Sequence, residues 1–181
     1  RNIWSKLLLF SFCVGSLFLF ACGDRKADLE KAEYLVGRGD AASADQAAAL
    51  MNSYLDSSDL FTRIRAHRIF IGSKMVQAGF DTASFMSRLI ERDEGQGTIQ
   101  TFKNALGEIN NSTEARSFLF EINEPLTALY NSEDFQAIDA SSDEALAREK
   151  QAVFLSDGLG QLLYALILGA VDSTLIDADL N

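Results

Sequence analysis

The chain has 181 residues, 48% of them hydrophobic, and 16 Lys+Arg against 26 Asp+Glu give it a formal net charge of −10. That length suits one domain with a sizeable core, and that charge repels phosphate backbones and anionic headgroups, which excludes nucleic acid as a natural partner. One histidine and two cysteines leave little material for metal or thiol chemistry.

The first element is an apolar leader. Arg1 and Lys6 precede an uncharged run from Leu7 to Ala21, and the first acidic residue is Asp24. A bilayer span wants about 20 apolar residues, whereas the hydrophobic region of a secretory signal needs about 7–15. Leu7 to Phe20 has the second length, so a signal peptide over residues 1–21 is expected. Leu19-Phe20-Ala21-Cys22 resembles a bacterial lipobox, where a small residue precedes the Cys. That resemblance implies cleavage after Ala21 and a diacylglyceryl thioether on Cys22, which then becomes the N-terminus. Two or three acyl chains hold a protein firmly on a membrane, at about 0.8 kcal/mol per buried methylene. Cys13 lies inside the leader, so the mature chain holds no internal disulfide, and lipid accounts for the remaining thiol. Gly23 after the Cys resembles lipoproteins sent to the outer membrane. Loss of Arg1 and Lys6 leaves 14 basic against 26 acidic residues, a formal charge of −12. Attachment to the membrane is therefore expected through lipid, not through a basic patch.

Residues 22–27 are read as a short tether and 28–181 as a single helical domain. Ala and Leu are abundant, the one proline is Pro125, and no sustained period-two alternation appears. Leu29, Ala32, Leu35 and Val36 form a helical stripe over Asp28–Arg38, which stops near Gly37 and Gly39. Ala44, Ala47, Ala48, Met51 and Leu55 predict a second helix over Ala41–Leu55. Asp56-Ser57-Ser58-Asp59 supplies turn and N-cap chemistry for a third over Leu60–Ala78, ended by Gly79. Asp81 or Thr82 opens a fourth that runs to Arg92, with Phe85, Met86, Leu89 and Ile90 on one face. Gly95-Gln96-Gly97 reads as a turn, and a fifth helix follows from Thr98 through Ile109. Thr113–Tyr130 is the sixth, with a kink or break expected near Asn123 because Pro125 removes an intrahelical bond. Asn131–Ser142 reads as a polar connection. Asp143–Ser173 reads as two helices or one bent at Gly158 and Gly160, with Ser142 or Asp143 as N-cap. Leu159–Val171 is too short to span a bilayer and reads as a core helix.

The expected architecture is all-α: antiparallel hairpins stacked in a right-handed superhelix or a compact bundle. AEYLVGRGDAASADQAAALMNSYLD, within residues 28–80, resembles a tetratricopeptide repeat. Ala32 and Ala44 stand at the small positions where its two helices cross, Gly39 stands at the turn, and Ala66 follows Ala32 by one period of about 34 residues.

Catalytic motifs are missing. His67 has no second histidine for a HExxH zinc site, no GxSxG elbow accompanies it, and it reads as a packed, hydrogen-bonded side chain. Gly158-Leu159-Gly160 and Gly95-Gln96-Gly97 lack the strand, the Lys and the third Gly of a phosphate loop, and read as helix breaks. Asp139, Asp143 and Glu144 lack the Gly and distal Glu of a calcium loop. Arg63, Arg65, Arg68 and Lys74 are the one basic concentration. They read either as surface charges paired with acidic neighbours on adjacent helices, the favoured alternative, or as a groove for a partner's carboxylates.

These features predict no enzyme and no cofactor beyond the lipid on Cys22. They predict an outer-membrane lipoprotein, facing the periplasm, that resembles adaptors or pilot proteins of secretion, pilus or transport machinery and binds envelope proteins. The alternative is a helical lipoprotein that presents a small or lipidic molecule to a transporter.

Overall fold

The computed structural model describes residues 25–80, 113–139 and 143–171. The predicted helices over 81–92 and 98–109 fall outside the described residues, as do the leader, Ala21 and Cys22. The described residues are all-helical: α1 (Arg25–Gly37), α2 (Ala41–Asn52), α3 (Leu60–Gln77), α4 (Thr113–Phe120), α5 (Asn123–Tyr130), α6 (Glu133–Gln136) and α7 (Glu144–Val171).

Cap chemistry sets the starts. Asp40 accepts from the Ser43 backbone N–H at 2.8 Å and so caps α2, and Asp59 accepts from the Thr62 N–H at 2.8 Å at the head of α3. Asp143 accepts from Ala145 N–H at 2.9 Å and Leu146 N–H at 3.1 Å, which makes it the N-cap of α7. Each bond satisfies a backbone donor that the helix itself leaves orphaned. Gly39 and Gly79 take φ of +70° and +89°, the left-handed turn that follows α1 and α3 and that disfavours a Cβ.

α3 is the centre of the molecule. Ile64, Ala66, His67, Ile69, Phe70, Ile71, Met75 and several small or polar neighbours are buried around nearly its whole circumference. It packs against α1, α2, α4, α5 and α7. A helix buried round most of its circumference belongs inside, and its neighbours supply one face each. Leu29, Ala32 and Leu35 of α1 and Ala44, Ala47, Ala48 and Met51 of α2 complete one side of the core. Leu119, Ile122, Leu126, Leu129, Val153, Leu163 and Ile167 belong to the same core cluster.

Four details differ from the sequence reading, and one expected break is found. α1 begins at Arg25, inside the expected tether, and Asp28 lies in its first turn, where a carboxylate favours the helix dipole. α2 ends at Asn52, because residues 53–56 tighten into turns that bury Leu55. The break expected near Asn123 is present, at Glu121–Ile122, so Pro125 sits in the first turn of α5, where its missing N–H costs no bond. The connection after Tyr130 contains α6, since Phe135 is buried and its ring lies 5.7 Å from Tyr130 and 5.9 Å from Phe154. α7 runs unbroken through Gly158 and Gly160, so these glycines are not helix breaks. A Cβ on Gly160 would lie 3.0 Å from Ile122 Cδ1, so Gly160 permits close approach of α7 to the α4–α5 elbow. That close packing offsets the intrinsic cost of an interior glycine, about 1 kcal/mol.

Among the described residues no helix is long and apolar enough to cross a membrane.

Candidate functional site

The basic residues of α3 do not gather in one place. Helical spacing of about 100° per residue puts Arg63 and Lys74 on one side of α3 and Arg65 and Arg68 on another. Each is met by an acidic partner on a different element.

Arg65 grips Glu33 of α1 with two hydrogen bonds, Nε at 3.0 Å and Nη2 at 2.6 Å. Arg68 Nη2 reaches the same carboxylate at 2.5 Å, and its Nε reaches Glu149 of α7 at 2.8 Å. The result is a chain of charges, Arg65–Glu33–Arg68–Glu149, across three helices. All four side chains are less than one-third exposed, from 19% to 32%. Bidentate pairs of this kind are stronger than ordinary surface ion pairs. The Arg65 hydrogen bonds, aided by Arg68, hold the Glu33 carboxyl below the usual carboxylate range against the opposing effect of burial.

On the other side, Arg63 donates from Nη1 to the Ser57 carbonyl at 3.1 Å and pairs through Nη2 with Asp134 of α6. The Arg63 bond holds the Asp134 carboxyl below its ordinary value. Lys74 pairs with Glu121 at 2.6 Å, and its ammonium lies 5.3 Å from the Phe70 ring and 5.6 Å from Phe118. These four cations are therefore committed within the chain as clasps between α3 and its neighbours. Their partners Glu33, Glu121, Asp134 and Glu149 carried no sequence signal. They stand 32, 47, 71 and 81 residues from the cations they meet, and only the folded packing brings them together.

Lys150 forms a further clasp. Its Nζ donates to the carbonyls of Phe135 at 2.9 Å and of Gln136 and Ile138 at 3.3 Å each, at the C-terminal end of α6, and lies 5.0 Å from the centre of the Phe135 ring. A lysine in this position satisfies carbonyls that a short helix leaves unpaired.

His67 is buried at 2% exposure, with its Nε2 3.2 Å from the Leu55 carbonyl. A carbonyl only accepts, so Nε2 carries the proton. Burial pushes the imidazole pKa down to about 4, which keeps the ring neutral near pH 7. The His67 ring borders a cavity of about 180 Å³ between α3, the turn before it and α5. A larger depression, about 530 Å³, opens at the α4–α5 elbow beside Phe120, Asn123 and Thr127. Asp139 and Asp143 do not join a metal centre, for among the described residues no cluster of three or more His, Cys, Asp or Glu could hold an ion.

Among the described residues, Tyr34 of α1 and Phe120 of α4 are exposed large hydrophobics, and four more lie on α7. Leu155 is 69% exposed, Phe154 48%, Leu168 42% and Leu162 37%. No charged residue occurs from Gly158 to Val171. Comparison of the chain with protein families, with curated proteins and with solved structures finds no match.

Proposed function

We propose that this protein is a lipoprotein of the bacterial outer membrane, held by fatty acid on Cys22 and facing the periplasm, whose helical body acts as a protein-interaction adaptor in an envelope assembly. The observation that carries the adaptor role is the group of exposed apolar side chains on α7, of which Leu155 and Leu162 share one helical face, since exposed apolar surface marks interaction sites. The lipobox-like Leu19-Phe20-Ala21-Cys22 supports the anchor. The tetratricopeptide-like part of the reading is supported by α1 and α2, where Ala32 and Ala44 are fully buried and Gly39 makes the turn. The partner surface is assigned to α7 and not to Arg63, Arg65, Arg68 and Lys74, whose charges are met internally.

The mechanism is tethering. With α1 starting at Arg25, two residues, Gly23 and Asp24, lie between the lipidated Cys22 and the first helix, a span of three Cα-to-Cα steps. An extended residue spans at most about 3.6 Å, so the helical body would stay within ~10 Å of its anchor. A partner held on that body is confined near the membrane plane, which raises its effective concentration without new chemistry. The second reading, presentation of a small or lipidic molecule, draws on the 530 Å³ depression at the α4–α5 elbow.

Two measurements test the proposal. Mass spectrometry of protein from the native host should find an N-terminal peptide that begins at acylated Cys22; a free thiol or a retained leader removes the anchor. A photo-crosslinker placed at Leu155 or Leu162 should capture one envelope protein, while the same group at exposed Glu30 of α1 should not. Equal labelling from all three positions removes the adaptor role.

A further inference from the structure

We propose that the exposed face of α7 receives the α7 of a second copy of this chain, running antiparallel, so that the adaptor is a two-fold dimer. The inference rests on the reading of α7 as the interaction face and names the protein which that face takes.

Leu155, Gly158, Leu162 and Ala165 follow one another at steps of three, four and three residues. These steps are the a/d pattern of a coiled-coil seam, and at about 100° per residue the four lie within an arc of about 80°. All four are exposed, whereas Val153, Leu163 and Ile167 on the opposite side enter the core. The seam alternates large and small. Turned over about a two-fold axis level with Gly160, it meets itself in complementary register. Leu155 then faces the partner's Ala165 and Leu162 faces the partner's Gly158, and symmetry makes each contact twice. Phe154 comes beside the partner's Leu168 along one edge, so every exposed large apolar side chain of α7 gains cover.

Gly158 and charge both favour a second copy. A Cβ on Gly158 would meet nothing within 4 Å, so packing within the chain does not require a glycine there, where it weakens the helix. Close approach of the partner's Leu162 does require it. A lipid surface would favour large side chains throughout and gain nothing from Gly158 or Ala165. The chain carries a formal net charge of −10, yet Asp157 is the only charged residue from Gln151 to Leu168. Asp157 lies off the seam and accepts from the Tyr130 hydroxyl at 2.7 Å. Two acidic copies can therefore meet along this face without like charges in contact, and a basic partner would find no counter-charge. From Phe154 to Leu168 the face is about 21 Å long and about 10 Å wide. That falls short of the about 800 Å² per partner of a stable complex, so the dimer is reversible and forms where copies are held close together.

A photo-crosslinker at Leu155 of the full chain, in membranes of the native host, tests the dimer. The expected product contains two copies of this chain, joined near the partner's Ala165 and not near its Leu155. Gly158→Leu points into open space within one copy but strikes the partner's Leu162. It should leave helicity by circular dichroism unchanged and lower the crosslink yield at least about tenfold. With the crosslinker moved to Leu162, Leu155→Glu and Ala165→Lys should each lower the yield about tenfold, and the two changes combined should restore it, because the register sets them opposite each other. Capture of a different protein overturns the dimer and leaves the adaptor reading standing. Adducts to lipid alone, or none, overturn both. A crosslink to the partner's Leu155, an unchanged yield in Gly158→Leu, or no rescue by the paired charges also overturns the antiparallel dimer.

Discussion

At the scale of single residues, His67 shows how burial converts a titratable group into a pH-dependent part of the core. In the unfolded chain its pKa is near 6.5, and in the fold it is about 4. Between those values the unfolded chain takes up a proton that the folded chain refuses, so stability is full above pH 6.5 and falls as the pH drops toward 4. The lost stability approaches about 3 kcal/mol, at about 1.4 kcal/mol per pH unit. Urea unfolding at pH 7 and pH 4.5 should show most of this loss in the parent and little of it in His67→Gln, whose own stability at pH 7 should be lower. Below about pH 4.5 a second loss should follow in both chains. Glu33, Asp40 and Asp59 have lowered folded pKa values, and their contribution disappears as they protonate. The packed, hydrogen-bonded character of His67 was legible from its place on a helix with no catalytic companion. Its unpartnered Nδ1 was not, because that depends on where the Leu55 carbonyl lies.

At the scale of elements, the two glycines of α7 separate intrinsic propensity from packing. A Cβ on Gly158 would meet nothing within 4 Å, so Gly158→Ala should stabilise the protein by about 0.5–1 kcal/mol through the helix propensity alone. Gly160→Ala gains the same propensity but presses on Ile122 Cδ1, and should be neutral or destabilising. Thermal melts of the two variants side by side check the contrast. Local pattern foresaw the starts of α2 and α3 and the turns at Gly39 and Gly79, because caps, turn residues and apolar stripes act within a few positions. It misread the glycines of α7 and the segment around Phe135 for one shared reason. In both places contacts with distant parts of the chain overrule the local preference, Ile122 against Gly160, and Tyr130, Phe154 and Lys150 against Phe135.

At the scale of the whole molecule, the charge chain Arg65–Glu33–Arg68–Glu149 links the first helix, the central helix and the last. Glu33→Gln removes the carboxylate shared by two guanidiniums and should cost about 1–2 kcal/mol, less than a fully buried pair because Glu33 keeps some contact with solvent. Glu30→Gln, on the exposed side of α1, should cost almost nothing, and chemical unfolding of both variants measures the difference. The double change Arg65→Glu and Arg68→Glu would set like charges against Glu33 and Glu149. Reduced stability, rather than loss of a partner alone, is the expected outcome. The sequence supplied these cations, the all-helical class and the expectation of acidic partners on adjacent helices, but not which carboxylates those partners are.

The order of synthesis gives the central position of α3 a further consequence. Its neighbours α1 and α2 are made before it, while α4, α5 and α7 follow, so the emerging chain carries α3 half-clothed until the final turns are complete. A product that stops short of residue 144 would lack Val153, Leu163, Ile167 and the Glu149 carboxylate, leaving a greasy flank open to water and Arg68 with Glu33 as its remaining carboxylate. Such a fragment should aggregate or be degraded, even though it contains every residue of α1, α2 and α3.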